Sequence, residues 1–302
     1  MYHELRKRGT RHRGDLRLDT TRLCFRILAD AFDRFNRDDG WAIASHIALS
    51  VLMAVFPFLI VVTALAGIFG SANLSHEVAR LIFASWPKEV ASPLASEIHN
   101  VLTTPHGGVL TLGVIFAVYF ASSGVESLRI GLNRAYELSE KREWWLLRLE
   151  SIGYVLIGAI ALLALAFLVV LGPLIFRAAV KYAPWIAPLA FSFTMVRLGI
   201  GIAVPAAALF ILHMWLPAGR RGPKRVWPGV LATLILWLVC GFAFGHYLAD
   251  FAQSYVTYYA GLASAMIALV YLYYSAWIFI FGGELNAAIE KVRADGGQFA
   301  AG

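Results

Sequence analysis

Residues 152–176 read IGYVLIGAIALLALAFLVVLGPLIF and contain no charged side chain. At about 1.5 Å per residue, a helix of this length crosses a hydrocarbon core of about 30 Å. Five other stretches share this pattern, and the predicted membrane spans are 42–69, 109–128, 152–176, 193–216, 226–249 and 259–282. Because the backbone in lipid must satisfy its own hydrogen bonds, such runs predict helices rather than barrel strands. The sequence therefore predicts an all-α polytopic membrane protein with six transmembrane helices.

The composition argues against an ordinary soluble domain. Of the 302 residues, 59% are hydrophobic and 15% are charged, whereas soluble domains contain about 25% charged residues. The net charge is +7, and the basic residues lie between the apolar blocks. Contacts with lipid headgroups and the signals for membrane topology account for them there. No specific nucleic acid is therefore expected as a partner. Cys24 and Cys240 fit neither a disulfide framework nor a metal-binding spacing.

The chain divides into three predicted parts. Residues 1–20 are basic and predicted to be disordered, residues 21–290 form the six-helix domain, and residues 291–302 form a tail. Apolar residues at spacings of three and four over 23–35 predict an amphipathic helix in the membrane interface. The first external loop, about 70–108, predicts a short pair of helices on the outer face. Gly241 and Gly245 form a GxxxG pair, which predicts a close contact between helices.

Lysine and arginine are distributed unevenly between the segments that lie outside the spans. From the N-terminus to the C-terminus these segments contain 10, 2, 5, 2, 4, 0 and 2 of them. Since cytoplasmic loops carry the excess of Lys and Arg, this alternation places both termini in the cytoplasm. The basic, polar first forty residues show no cleavable signal peptide. We expect a multi-pass protein of the inner (cytoplasmic) membrane.

Ionisable and amide side chains within the spans are candidate functional residues, because burying them in a membrane costs several kcal/mol. One group lies near the inner ends of the first, second and sixth spans and predicts a polar vestibule for a charged solute or headgroup; it comprises His46, Glu126, Arg129, Asn133, Glu284 and Asn286. Helix-end packing is the alternative explanation. Near the outer ends of the fourth and fifth spans, Arg197 and Asp250 predict an ion pair, which is either structural or an outer gate.

Other polar residues have simpler explanations. Four glutamates lie among basic residues after the second span and predict a solvated charged face; they are Glu137, Glu140, Glu143 and Glu150. His213 and His246 are lone histidines in apolar runs. Only Asp250, four residues after His246, lies at helical spacing, which predicts a hydrogen bond between the two rather than a metal site. There is no nucleotide-binding motif. We therefore predict no catalytic residue, metal or cofactor.

Several local patterns occur together in a distinctive order. They are 44–50 (ASHIALS), 56–59 (FPFL), 124–129 (GVESLR), 132–137 (LNRAYE), 216–217 (LP), 224–229 (KRVWPG) and 282–287 (GGELNA). Together they resemble the YihY/virulence factor BrkB family over roughly residues 25–290. The resemblance implies six helices in a bacterial cytoplasmic membrane. It also implies two functional labels: a historical one, ribonuclease BN, which is regarded as a misassignment, and a proposed role in transport.

Three functions are compatible with these sequence features. A transporter, or a protein that handles lipids or solutes, is favoured by the polar residues inside the spans and by the lack of a soluble domain. A membrane-bound ribonuclease would need carboxylates or histidines arranged to bind a metal or to shuttle protons. No DxD or HxxE pattern is present, so we do not predict an enzyme. A non-transporting envelope scaffold is the third alternative. The expected partners are membrane lipids and an unidentified solute or lipid, and homo-oligomerisation is compatible with the sequence.

Overall fold

The structure is a computed structural model that describes residues 21–69, 107–259 and 263–299. Every regular element in these ranges is a helix. The long helices are α1 (21–37), α2 (Gly40–Phe69), α3 (Gly107–Ala135), α4 (Trp144–Ala166), α5 (Gly172–Tyr182), α6 (Ala190–Trp215), α7 (Pro223–Tyr259) and α8 (Ala263–Phe299). A π-helical turn, Phe167–Leu171, joins α4 to α5, and a 3₁₀ turn, Pro184–Leu189, leads into α6.

Five helical stretches are long and apolar enough to cross a membrane. They are Thr111–Ala135, Trp144–Val169, Pro184–Trp215, Pro223–Ala249 and Ala265–Ala294. The remaining predicted span falls on α2, where the apolar stretch found among the described residues, Gly40–Val55, is shorter than the others. The prediction of an all-α polytopic membrane protein is confirmed. The predicted helical loop at 70–108 lies almost entirely outside the described residues, as do residues 1–20.

The helices pack in the order in which they occur along the chain. Helix α2 contacts α3, α3 contacts α4, α4 contacts α6, α6 contacts α7 and α7 contacts α8. Helix α8 then contacts α2, which closes the arrangement, and it also contacts α3. Short connections account for two of these contacts, between α3 and α4 and between α6 and α7.

Helix α8 is the most deeply enclosed element at one end of the bundle. Each residue from 278 to 286 is buried. Two glycines let its backbone approach its neighbours: a Cβ built on Gly282 would overlap Thr233 of α7, and one built on Gly283 would lie 2.8 Å from Leu132 of α3. A Cβ on Gly229 of α7 would overlap the carbonyl oxygen of Gly282. Glycine is required here because two backbones meet directly.

The close contact predicted from the GxxxG pair does not occur where it was expected. Among the described residues, no atom would lie within 4 Å of a Cβ on Gly245, and one on Gly241 would only reach the Tyr271 hydroxyl at 4.0 Å. The close approach of α7 to α8 instead uses Gly229, about three turns earlier in the same helix. The GxxxG prediction is therefore wrong for the contacts within the described ranges, because the residue spacing does not say which face of α7 meets α8.

The predicted N-terminal helix is present as α1. Ala31 and Phe35 are fully buried, and the Phe35 ring lies 5.1 Å from that of Trp41 and 5.7 Å from that of Trp277. Phe25 and Leu28 on other faces are exposed, at 73% and 49%. One face of α1 thus packs on α2 and α8. Its apolar exposed face fits the predicted position in the membrane interface, which stays a prediction.

Charged contacts are concentrated at one end of the bundle, which we call the charged end. It is formed by residues 30–41, 126–151, 216–229 and 284–291. Within the described part of the chain, all ion pairs lie in these segments. Elsewhere α4 and α6 pack loosely against the described part of the chain, since a Cβ on any of their four glycines would meet none of its atoms within 4 Å; these glycines are Gly153, Gly158, Gly199 and Gly201.

Candidate functional site: a buried polar layer at the charged end

Arg129 of α3 is a buried cation between α3 and α4. Its side chain is 3% exposed, and Nη2 donates to the Leu147 carbonyl oxygen at 3.2 Å and to the Ser151 hydroxyl at 3.0 Å. The same nitrogen lies 3.4 Å from a carboxylate oxygen of Glu150. These three partners are spaced at three and four residues along α4, so they share one helical face. The charge of Arg129 is thus balanced by Glu150.

Arg142 extends this network into the connection between α3 and α4. Its guanidinium binds Glu140 through two nitrogens, at 2.9 and 2.8 Å, and it donates to Glu150 at 2.9 Å. The hydrogen bonds from Arg142 lower the pKa of Glu140 to about 2, and the bond to Glu140 raises the pKa of Arg142. A bidentate contact of this kind is among the stronger charged contacts in proteins.

Asn133 joins the network to the connection between α6 and α7. Its amide nitrogen lies 3.3 Å from Glu140, and its amide oxygen accepts a hydrogen bond from the Ala218 backbone at 2.6 Å. Arg142 also donates to the Leu216 carbonyl oxygen at 3.3 Å. Two polar side chains therefore hold the 216–222 connection against the 136–143 connection.

Asn286 of α8 binds the first turns of α7. Its oxygen accepts from the Gly229 backbone at 2.7 Å, and its nitrogen donates to the Val226 carbonyl oxygen at 3.1 Å and to the Tyr136 hydroxyl at 3.2 Å. Burial raises the pKa of Tyr136 to about 12, so its hydroxyl stays protonated. The Arg221 guanidinium lies 3.6 Å above the Tyr136 ring, a cation–π contact. The oxygen and the nitrogen of the Asn286 amide therefore both have hydrogen-bond partners.

Glu284 differs from these residues because it lacks such partners. Its side chain is fully buried, and neither carboxylate oxygen has a hydrogen-bond partner. The charged groups that act on it are Asp38, Arg34 and Glu137. Arg34 directs its donors elsewhere, with Nε 3.3 Å from Asp30 and Nη1 3.0 Å from Glu137. A buried acid without partners is rare, and it needs an explanation.

Glu126 and His46 lie at the edge of the layer. Glu126 forms an ion pair with Arg148 at 2.6 Å, and both side chains keep part of their exposure. His46 Nδ1 lies 2.6 Å from the Ser127 hydroxyl, which itself donates to the Ser123 carbonyl oxygen at 3.0 Å. Since the hydroxyl proton is used in that bond, Nδ1 of His46 is assigned as the donor to Ser127.

The six predicted vestibule residues therefore lie at the same end of the bundle, but they do not share one contact network. Arg129 and Asn133 are linked through Glu140, Arg142 and Glu150. The others belong to separate contacts: Asn286 with α7, Glu284 beneath the α1–α2 turn, and Glu126 and His46 at the edge.

Sequence reasoning missed the partners of these residues. Glu140 and Glu150 were expected on a solvated face, yet their side chains are only 22% and 31% exposed. Both bind Arg142, and Glu150 also contacts the buried Arg129. Glu137, at 71%, is exposed as expected. The available signal was the alternation of Glu with Arg over 137–150, which is equally typical of a solvated face and of an ion-pair network.

Arg197 of α6 contacts the backbone of the π-helical turn between α4 and α5. Its Nη1 donates to the Val169 carbonyl oxygen at 3.2 Å. That carbonyl loses its usual helical donor because the residue four positions later is Pro173, which has no N–H. Arg197 thus satisfies a backbone group at the π-helical turn between α4 and α5. The predicted ion pair cannot be assessed, since the Asp250 side chain lies outside the described residues.

His213 is fully buried, with Nδ1 3.0 Å from the Leu209 carbonyl oxygen and its ring packed on Phe279. These contacts are those of a core histidine. Over the described ranges, no three side chains of His, Cys, Asp or Glu are grouped so that they could hold a metal ion.

The chain resembles several curated proteins over most of its length. It is 26% identical to a ribonuclease-like protein, YfkH, of Bacillus subtilis (strain 168), over 88% of this chain and 95% of that protein. It is 28% identical to a UPF0761 membrane protein of Chromohalobacter salexigens, over 90% of this chain and 65% of the relative. A UPF0761 membrane protein of Rhodospirillum centenum, RC1_0578, is 27% identical over 89% of this chain and 58% of the relative.

The chain thus spans less than two thirds of the length of the last two relatives. No solved structure matches it significantly. The virulence factor BrkB family matches residues 31–301, nearly the whole chain. With its apolar helices, this protein is therefore a membrane protein of the virulence factor BrkB family.

Proposed function

We propose that the protein is a transporter that moves a charged or amphipathic solute, such as a metabolite or a lipid, across the cytoplasmic membrane. The observation that carries the proposal is the burial of two ionisable side chains, Arg129 and Glu284, inside helices long enough to cross a membrane. Ionisable groups at such positions are costly and characteristically line the pathways of solutes and ions. Membrane lipids and the transported solute are its partners in this proposal, and no cofactor is required.

In this proposal the charged end faces the cytoplasm and serves as the inner gate. The excess of Lys and Arg in the segments that form it supports the orientation. Ion pairs and amide contacts hold the 136–143 and 216–222 connections together, and α8 is enclosed at the same level. The described conformation is then the one in which the inner gate is closed. Opening would break contacts of Arg142 and Asn133, both of which lie where two connections meet.

Reconstitution into liposomes of phosphatidylethanolamine and phosphatidylglycerol tests the proposal. Lipid movement is measured with NBD-labelled phosphatidylglycerol and dithionite, and solute movement by mass spectrometry of an entrapped mixture of organic anions and cations. We expect at least one arm to exceed protein-free liposomes. Arg129→Gln should lower that rate about tenfold, and Arg225→Gln, at the exposed rim of the same end, should change it less than twofold. The proposal fails if neither lipid nor solute moves.

A ribonuclease is the rival proposal, favoured by the name of the Bacillus relative. A nuclease needs carboxylates that are free to bind a metal or to accept a proton. At the charged end, Glu140, Glu150 and Glu290 are instead bound to arginines. We therefore propose that the chain is not an enzyme. Cleavage of a labelled RNA by wild-type protein purified in detergent would contradict this, provided that the cleavage is lost in Glu150→Gln and absent from a mock purification that lacks the protein.

A further inference from the structure

We propose that Glu284 and Asp38 form a carboxyl pair that binds one proton, and that this proton is the coupling ion of transport. The coupling rests on the proposed function above. The proton site itself rests only on the surroundings of Glu284 and can be tested without any transport.

Glu284 is buried without a hydrogen-bond donor. The residues on either side of it in α8, from 278 to 286, are all buried, so the side chain cannot turn to solvent without a movement of the helix. Neither of its oxygens receives a hydrogen bond. An isolated carboxylate in such a place is strongly disfavoured, and the protonated acid is the form that can persist there.

Positive charge is scarce around Glu284. Arg34 is the cation that acts on Glu284, but its guanidinium already contacts Asp30 and Glu137. Asp38 and Glu137 add negative charge to the same place, and Tyr136 contributes a neutral phenol. Arg134 also reaches the turn, but its Nη1 is bound to Asp39 and to the Asp38 carbonyl oxygen. Around the pair of Glu284 and Asp38, the carboxylates therefore outnumber the arginines.

Glu284 lies on α8, and Asp38 lies on the turn between α1 and α2. Asp38 is close enough to Glu284 for charge repulsion and a side-chain hydrogen bond to act between the two carboxyl groups. Two carboxyl groups in this position repel each other when both are ionised, and they can hydrogen-bond when one of them holds a proton. A single proton therefore gives the two groups a shared hydrogen bond, whereas two ionised carboxylates would only repel each other.

Asp38 provides a route by which a proton passes between water and Glu284. Asp38 is half-buried, in contrast to Glu284, and the adjacent Asp39 is exposed in a left-handed conformation with φ of 57°. Asp38 therefore touches solvent on one side and Glu284 on the other. A proton from water can bind the Asp38 carboxylate and pass to Glu284, and it returns by the same two oxygens. Loss of the proton leaves a bare carboxylate in the layer, which favours opening of the charged end.

Infrared difference spectroscopy of the purified protein tests the proton site. At neutral pH the wild type should show the carbonyl stretch of a protonated carboxylic acid, and Glu284→Gln should remove it. Asp38→Asn should shift this band, because the shared hydrogen bond is replaced by an amide contact. Glu290→Gln is the control, since Glu290 lies on α8 but binds Arg221 and Arg225, and it should leave the band unchanged.

The proposal is overturned if the wild type lacks the band, or if the band survives in Glu284→Gln. Glutamine has the shape of the protonated acid, so this variant should fold, as judged by size-exclusion chromatography. If Glu284→Gln does not fold, Asp38→Asn tests the pair on its own. A carbonyl band at the wild-type position in Asp38→Asn then overturns the carboxyl pair.

Transport assays test the coupling. With a solute that the wild type moves, Glu284→Gln should retain exchange between the two sides of the liposome and lose accumulation driven by a pH gradient, by about tenfold. Wild-type accumulation in Glu284→Gln, loss of exchange as well, or dependence on a Na⁺ gradient instead of the pH gradient overturns the coupling. If the wild type moves nothing, the proposed function fails, and the infrared result still decides the proton site.

Discussion

The contact between Glu140 and Arg142 should make the stability of the protein depend on pH in the acid range. The pKa of Glu140 is lowered from 4.5 to about 2 in the folded protein. A lowered pKa stabilises the folded state above the unfolded pKa, and this stabilisation is lost as the pH falls from about 4.5 towards 2. Because both side chains keep some exposure, solvent screening should reduce the contribution to about 1 kcal/mol.

Glu140→Gln should therefore destabilise the protein by about 1 kcal/mol at pH 7, and the difference from wild type should narrow as the pH falls below 4. Thermal unfolding in detergent across this pH range measures it. Glu143→Gln is the matched control, because Glu143 is exposed and makes no capping hydrogen bond at the start of α4. A difference that stays constant with pH would show that the Arg142 contact is not the cause.

The hydrogen bond from Arg197 to Val169 should matter because of Pro173. Arg197→Met keeps the apolar stem and removes the donor, and it should cost about 1–2 kcal/mol, as expected for a bond to a charged group. Pro173→Ala restores a backbone N–H for the Val169 carbonyl oxygen, so Arg197→Met should cost less in that background. A double-mutant cycle on unfolding free energies measures the coupling. Additive effects would rule out this explanation; exposed Arg177→Met is the control.

At the scale of helices, the crossing of α7 and α8 depends on backbone contact at Gly229. Gly229→Ala should destabilise the protein by about 2 kcal/mol or more, because the added methyl group overlaps the Gly282 carbonyl oxygen and the Asn286 amide. The hydrogen bonds of Asn286 to α7 should be lost at the same time. Unfolding in detergent, followed by intrinsic fluorescence, measures the change.

Gly245→Ala is the matched control on the same helix. No atom of the residues that the structure describes lies within 4 Å of the position of its Cβ, and alanine is the better helix former by about 1 kcal/mol. We expect a neutral or slightly stabilising effect. Equal losses for the two variants would mean that glycine flexibility, rather than the close crossing of α7 and α8, explains the result.

At the scale of the whole molecule, the charged end should lie on the cytoplasmic side. In a Cys24→Ser/Cys240→Ser background, Gly222→Cys marks the charged end and Tyr182→Cys, at an 86% exposed position, marks the opposite end. A membrane-impermeant maleimide on intact cells should label only the Tyr182→Cys variant, and permeabilised cells should show both. Labelling of only the Gly222→Cys variant on intact cells would reverse the orientation.

The two ends of the molecule also differ in how they are held together. At the charged end, buried arginines, amides and glycine contacts connect α1, α3, α7 and α8. Along α4 and α6, the exposed surface is apolar and open, as expected for helices that face lipid or another membrane protein. Motion in this protein is therefore expected to be limited by the contacts at the charged end.

The sequence alone determined the fold class and the helical nature of the spans, because hydrophobic length and helix period act locally along the chain. It also predicted a group of six polar residues, including Arg129 and Glu284, at one end of the spans. Only the tertiary structure decided which groups meet: Arg129 with Glu150, Arg197 with the carbonyl freed by Pro173, Gly229 rather than Gly245 at the crossing, and Glu284 with no donor. Those outcomes depend on how the helices are rotated about their axes, which is set by packing between segments far apart in sequence.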